Sequence, residues 1–129
     1  MSERKKILLA DDDAAFREIN RIILESNGYL VDEADSADAA LRKLKSEHFD
    51  LLVLDLMMED RDSGFRVAYA LKEDQNLKEL PILMLTSAPQ KTGFNFRFSE
   101  DKDWMKVDSY ATKPLDPREL LDRVHKLLK

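Results

Sequence analysis

Asp50-Leu51-Leu52-Val53-Leu54-Asp55 is the stretch that decides how this chain folds. Four apolar residues run without a polar break and stop on a carboxylate. A run this short and this apolar reads as a strand buried on both faces, the signature of a parallel sheet. Ile7-Leu8-Leu9-Ala10 repeats the pattern and runs into Asp11-Asp12-Asp13. In a parallel sheet such strand ends lie together at the carboxyl edge, where open α/β folds bind ligands. Carboxylates crowded there raise one another's pKa unless a positive charge joins them. An all-oxygen pocket of high negative charge suits a hard divalent cation, with Mg²⁺ the best match.

Outward from these two strands, helix and strand signals alternate. Phe16, Ile19, Ile22 and Ile23 recur at helical spacing and predict an apolar helix face, which Asn27-Gly28 ends. Tyr29 to Ala34 predicts a second strand. Ser36 is a good N-cap for a helix over Ala37 to Ser46, with Ala40, Leu41 and Leu44 on its apolar face. After Asp55 comes a polar loop from Glu59 to Gly64, then a helix from Phe65 to about Asp74. Pro81 to Leu85 predicts a fourth buried strand ending on Thr86-Ser87, and Ser109 to Thr112 a short fifth. Asp116-Pro117 caps a last helix whose buried side carries Leu120, Leu121, Val124, Leu127 and Leu128. Alternating strands and helices imply a parallel sheet covered on both faces and joined by right-handed crossovers.

Composition narrows the function. With 129 residues the chain fits one domain, and its net charge of -5 argues against a nucleic-acid footprint for this chain alone. It has no cysteine, hence no disulfide frame and no thiolate metal site. Arg4-Lys5-Lys6 precedes too short an apolar run for a signal-peptide core, and no later run approaches a membrane span. A cytoplasmic location is expected, with no membrane partner. Nothing after the last helix is long enough for an output domain, so the expected organisation is one domain over residues 1–129.

The strand ends present Asp11, Asp12, Asp55, Thr86 and Lys113 in chain order. Each type has a use in phosphoryl transfer. A carboxylate can attack phosphorus and become an aspartyl phosphate. Acidic neighbours hold a cation that neutralises phosphoryl oxygens, while a hydroxyl and an ammonium bind the others.

These motifs together resemble the receiver domain of two-component response regulators, and the resemblance covers almost the whole chain. The matching elements, in order, are Asp11-Asp12, the strand ending at Asp55, the strand from Pro81 to Thr86, and Tyr110-Ala111-Thr112-Lys113-Pro114. The resemblance implies a doubly wound, five-stranded parallel sheet of flavodoxin-like order 2-1-3-4-5. It implies Asp55 as the phosphoacceptor, Asp12 as a direct Mg²⁺ ligand, Asp11 as a ligand through water, and the Met57 carbonyl as a further ligand. Thr86 and Lys113 would grip the phosphoryl oxygens, with Thr86 and Tyr110 in the activation switch and a cis bond between Lys113 and Pro114. Asp13 is expected to serve as a helix cap instead. A histidine kinase or histidine phosphotransfer protein would donate the phosphoryl group in this phosphorelay chemistry, and a downstream effector would read the result. The domain would catalyse its own phosphorylation and dephosphorylation and turn over no external metabolite.

The chain departs from the family pattern in places. Glu59 stands where the family usually has proline, the expected glycine comes one place late as Gly64, and Ser87 replaces a small apolar residue. Between Thr86 and Tyr110, Phe94-Asn95-Phe96-Arg97-Phe98 alternates with a strand period, not a helical one. Residues 93 to 107 therefore predict an irregular loop or hairpin, an atypical segment in place of the family's fourth helix. Its aromatics would either complete the core or dock a partner, including a second copy in a homodimer. The rivals are a pseudo-receiver that binds proteins without phosphorylation, an aspartyl-phosphate phosphatase of the haloacid dehalogenase type, and a flavodoxin. Met57 stands where the phosphatase needs a second aspartate, and three aspartates would repel the flavin's phosphate.

Overall fold

The computed structural model describes residues 4–56, 63–86, 108–113 and 115–128, with backbone alone at Tyr110 and Thr112. Its elements are β1 (Lys6–Ala10), α1 (Ala14–Ser26), β2 (Leu30–Ala34), α2 (Ala37–Ser46), β3 (Leu51–Asp55), α3 (Ser63–Lys72), β4 (Ile82–Thr86), β5 (Ser109–Thr112) and the last helix α4 (Pro117–Leu127). Strands and helices alternate as expected as far as β4, and residues 87–107 between β4 and β5 lie outside the described ones. The five strands form one sheet in the order β2-β1-β3-β4-β5, every neighbouring pair parallel. Residues 93 to 107, the Met57 carbonyl and the Lys113–Pro114 bond, for which the sequence carries expectations, lie outside the described residues.

Alternation along the strands divides the core into two layers. Leu8, Leu52, Leu54, Ile82 and Met84 face α2 and α3, joining Ala40, Leu44, Val67 and Leu71. Ile7, Leu9, Val53, Leu83 and Leu85 face the other way and join Leu24 of α1 with Leu120 and Val124 of α4. Successive strand residues point to opposite faces, so a run apolar at every position is what a sheet covered on both sides requires. β3 and β4 are buried at all five positions. β2 is one of the two edge strands, and its mixed sequence reflects that. Its Asp32 pairs with Lys43 at 2.8 Å, and its Glu33 with Arg17 at 2.9 Å and Arg21 at 2.6 Å.

The helix ends follow the predicted capping. Asp13 Oδ1 accepts from the Phe16 N–H at 3.1 Å, Ser36 Oγ from Ala39 at 3.1 Å, and Asp116 Oδ1 from Arg118 at 2.8 Å. Each satisfies a first-turn donor that the helix itself cannot. Gly28, at φ 92°, takes the left-handed conformation that turns the chain from α1 into β2.

One expectation needs correcting. The apolar face of α1 is not Phe16, Ile19, Ile22 and Ile23, because Ile19 is 58% and Ile22 53% exposed. The helix buries Asn20 and Leu24 and packs Phe16 and Ile23 partly against the core. Asn20 is tolerated inside because its side-chain amide donates to the Phe16 carbonyl at 2.8 Å, which offsets part of the cost of burial.

Candidate functional site

The strand registers carry the acidic residues to one place. Ala10 is level with Leu54, so Asp11, the next residue, comes level with Asp55 at the end of β3. Asp55 is level with Leu85, and Thr86, the last residue of β4, is level with Thr112. Lys113 follows β5 directly, and its N–H donates to the Thr86 carbonyl at 2.6 Å. The carboxyl edge thus presents Asp11, Asp55, Thr86 and Lys113 in sequence across four adjacent strand ends.

Carboxylate oxygens of Asp11, Asp12 and Asp55 lie within 4.8 Å of one another. Asp11, Asp55 and Thr86 are buried, Asp11 completely. Lys113 reaches into the cluster, with Nζ 2.6 Å from Asp11 Oδ2 and 3.6 Å from Asp55 Oδ2. Asp11 is held from several sides. Its Oδ1 accepts from the Asp13 N–H at 2.9 Å, and its carbonyl accepts from Arg17 Nη1 at 2.6 Å. Its Oδ2 is fully buried and, despite the nearby ammonium, makes no hydrogen bond of acceptable geometry. That buried oxygen is compensated by charge alone, through the Lys113 ammonium.

Charge imbalance shows at Asp12. Loss of water around its carboxylate, and then the Asp11 charge beside it, push its pKa above the ordinary carboxylate value, against the opposing pull of Lys113. Although the residue as a whole is exposed, its carboxylate faces the other two. Among the described residues, three carboxylates face one ammonium, and their all-oxygen donor set fits a hard divalent cation. The residues present fit Mg²⁺.

The structure brings Asp11, Asp12, Asp55 and Lys113 together by distance and sets Thr86 at the same edge by register. Tyr110 pairs with Met84 through its backbone, and its side chain and the Met57 carbonyl lie outside the described residues. Three further residues shape the site: Arg17 and Phe16, which carry no sequence signal of a role here, and Gly64, the glycine that the family pattern has one place earlier. Arg17 ties the Asp11 carbonyl to Glu33 on β2. Phe16 sets its ring 4.3 Å from Lys113 Nζ. Gly64 donates its N–H to the Leu56 carbonyl at 2.7 Å, and a Cβ there would sit 2.6 Å from Leu56 Cα and 2.9 Å from the Asp55 carbonyl oxygen. Only glycine lets α3 approach the end of β3 so closely.

A doubly wound sheet in this order, with an acid cluster and a lysine at its carboxyl edge, defines a class of signalling domain. Residues 7–125 match the family model of the response regulator receiver domain, and the chain belongs to that family. Among curated relatives it is 37% identical over 124 residues to the transcriptional regulatory protein ResD of Bacillus subtilis, covering 96% of this chain and 48% of that protein. It is 30% identical over 130 residues to the phosphate regulon transcriptional regulatory protein PhoB of Escherichia coli, covering 97% of this chain and 52% of PhoB. The chain therefore spans about half the length of these relatives. Among solved structures it is similar to a response regulator from Chloroflexus aurantiacus, with a TM-score of 0.85, 28% identity and 98% of each chain covered. The chemotaxis response regulator CheY4 of Vibrio cholerae superposes with a TM-score of 0.82 at 26% identity, over 98% of this chain and 100% of CheY4. A role as a two-component receiver follows from this membership. Among the described residues, no helix is long and apolar enough to cross a membrane.

Proposed function

We propose that Asp55 accepts a phosphoryl group from a histidine kinase or histidine phosphotransfer partner, in a Mg²⁺-dependent reaction within a single receiver domain. The observation that carries this reading is the cluster itself: Asp11, Asp12 and Asp55 within 4.8 Å, with the Lys113 ammonium reaching two of them. An Asp55 carboxylate oxygen forms the new P–O bond as the P–N bond of the donor phosphohistidine breaks, and the leaving imidazole takes up a proton. Asp11 and Asp12 would hold the cation with Asp55 and the Met57 carbonyl. When bound, Mg²⁺ neutralises charge on the phosphoryl oxygens. Lys113 donates to one of those oxygens and exchanges its present carboxylate partners for the phosphoryl group. The Thr86 hydroxyl donates to another, and with Tyr110 it forms the switch that reports phosphorylation to a downstream effector. Water attacking phosphorus from the side opposite Asp55 restores the carboxylate and releases inorganic phosphate. A cytoplasmic setting suits a kinase-coupled chain of this kind.

Phosphoramidate or acetyl phosphate with Mg²⁺ should add one phosphoryl group, read by intact mass. Asp55→Asn should abolish the addition, because an amide is no nucleophile here. A wild-type chain that stays unmodified under these conditions would point instead to a pseudo-receiver. Undiminished labelling of Asp55→Asn would place the acceptor elsewhere.

A further inference from the structure

Lys113 touches more than carboxylates. Its Nζ lies 4.3 Å from the centroid of the Phe16 ring while keeping 2.6 Å to Asp11 Oδ2 and 3.6 Å to Asp55 Oδ2. The lysine side chain is only 20% exposed, and Phe16 is half-buried against the core layer shared by α1 and α4. The ring's position is fixed by the segment that supplies the acids. The Asp13 N–H is held by Asp11 Oδ1, and Asp13 Oδ1 in turn holds the Phe16 N–H. Asp11, Asp13, Phe16 and Lys113 thus close a circuit around the ammonium.

An aromatic face suits that place for a physical reason. Its quadrupole attracts a cation, yet it offers no lone pair to take a conventional hydrogen bond. The ammonium has three donors on a flexible four-carbon stem. A third carboxylate beside it would compete with phosphoryl oxygens for those donors, and an aliphatic neighbour would exclude water without attracting the charge. The ring restricts the stem and leaves the N–H groups aimed at oxygen.

We infer that Phe16 is a positioning residue for Lys113, holding the ammonium at the carboxylate cluster through its ring face. The inference rests on the phosphoryl-acceptor reading for its consequence, but the contact itself does not. The test uses Phe16→Leu, which keeps apolar bulk and removes the ring, and Phe16→Tyr, which keeps the ring. Thermal melting checks that both are folded, and Phe16→Met serves if the leucine variant is not.

In metal-free wild type, ring current should move the Lys113 Cε proton resonances upfield. Phe16→Leu should return them to ordinary lysine positions, and Phe16→Tyr should restore the shift. Phosphoramidate labelling with Mg²⁺ should slow by about 3- to 10-fold in Phe16→Leu and recover in Phe16→Tyr. Unmoved resonances in Phe16→Leu would overturn the contact. Moved resonances with an unchanged rate would overturn the positioning role, as would equal slowing in the leucine and tyrosine variants. Failure of wild type to take up phosphate would strike the proposed function instead, and the resonances alone would then decide whether Phe16 holds the lysine.

Discussion

At the scale of single residues, two aspartates with the same chemistry behave oppositely because their neighbours differ. Asp12 lies among carboxylates, and its pKa is raised by desolvation first and by Asp11 second. Asp50 also loses water, but hydrogen bonds outweigh that loss and hold its pKa below the ordinary value. Its Oδ2 accepts from the Lys6 N–H at 2.8 Å, and His48 lies 3.1 Å from its Oδ1. The signs of linkage follow. For Asp12, the folded state binds its proton more tightly than the unfolded one, so stability falls as pH rises above 3.8 through the folded value. For Asp50, stability is present above 3.8 and is lost as pH falls through the lower folded value. Thermal melts without divalent cation should therefore show Asp12→Asn more stable than wild type at neutral pH and Asp50→Asn less stable, with both differences closing in acid. Asp12→Asn should also weaken Mg²⁺ binding more than Asp13→Asn, since Asp13 serves as the α1 cap. Equal losses of affinity would contradict that division of labour.

At the scale of elements, α1 shows how a pattern of residue types misleads. Its isoleucines fall at helical spacing, but the helix is rotated so that Asn20 and Leu24 face the sheet. The face that meets the sheet is Phe16, Asn20, Ile23 and Leu24, at i, i+4, i+7 and i+8, and Arg17 and Arg21 are compatible with that orientation. Both reach Glu33 on β2, and Arg17 also reaches the Asp11 carbonyl. Ile19 and Ile22 fall off that face and are left in water. Leu24→Ala should cost about 2–5 kcal/mol in chemical denaturation. Ile19→Gln and Ile22→Gln should each stay within about 0.5 kcal/mol of wild type. A large loss from either glutamine variant would mean that the isoleucines are buried after all.

At the scale of the whole molecule, the site exists only because four strand ends are brought level. Asp11 and Asp55 are 44 residues apart and Lys113 is a further 58 away, by their numbers. A cation bridging Asp11, Asp12 and Asp55 would tie β1 to β3 and stabilise the folded state over the unfolded one. Mg²⁺ at a hundred times its dissociation constant should add about 2.7 kcal/mol to stability, read as a rise in melting temperature, and Asp55→Asn should reduce the gain. No rise in wild type would mean that the cluster does not hold the ion. The apolar runs and their carboxylate ends were legible without coordinates, because burial on both faces leaves an unbroken apolar signature and capping is local chemistry. Strand number, the Ser36, Asp13 and Asp116 caps, and the candidate residues Asp11, Asp12, Asp55, Thr86 and Lys113 all came from that level. The rotation of α1, the close approach of Gly64 to β3, and the places of Phe16 and Arg17 around Asp11 and Lys113 did not. Those depend on which side chains meet across separate elements, and spacing along a chain records periodicity but not the partner that each face finds.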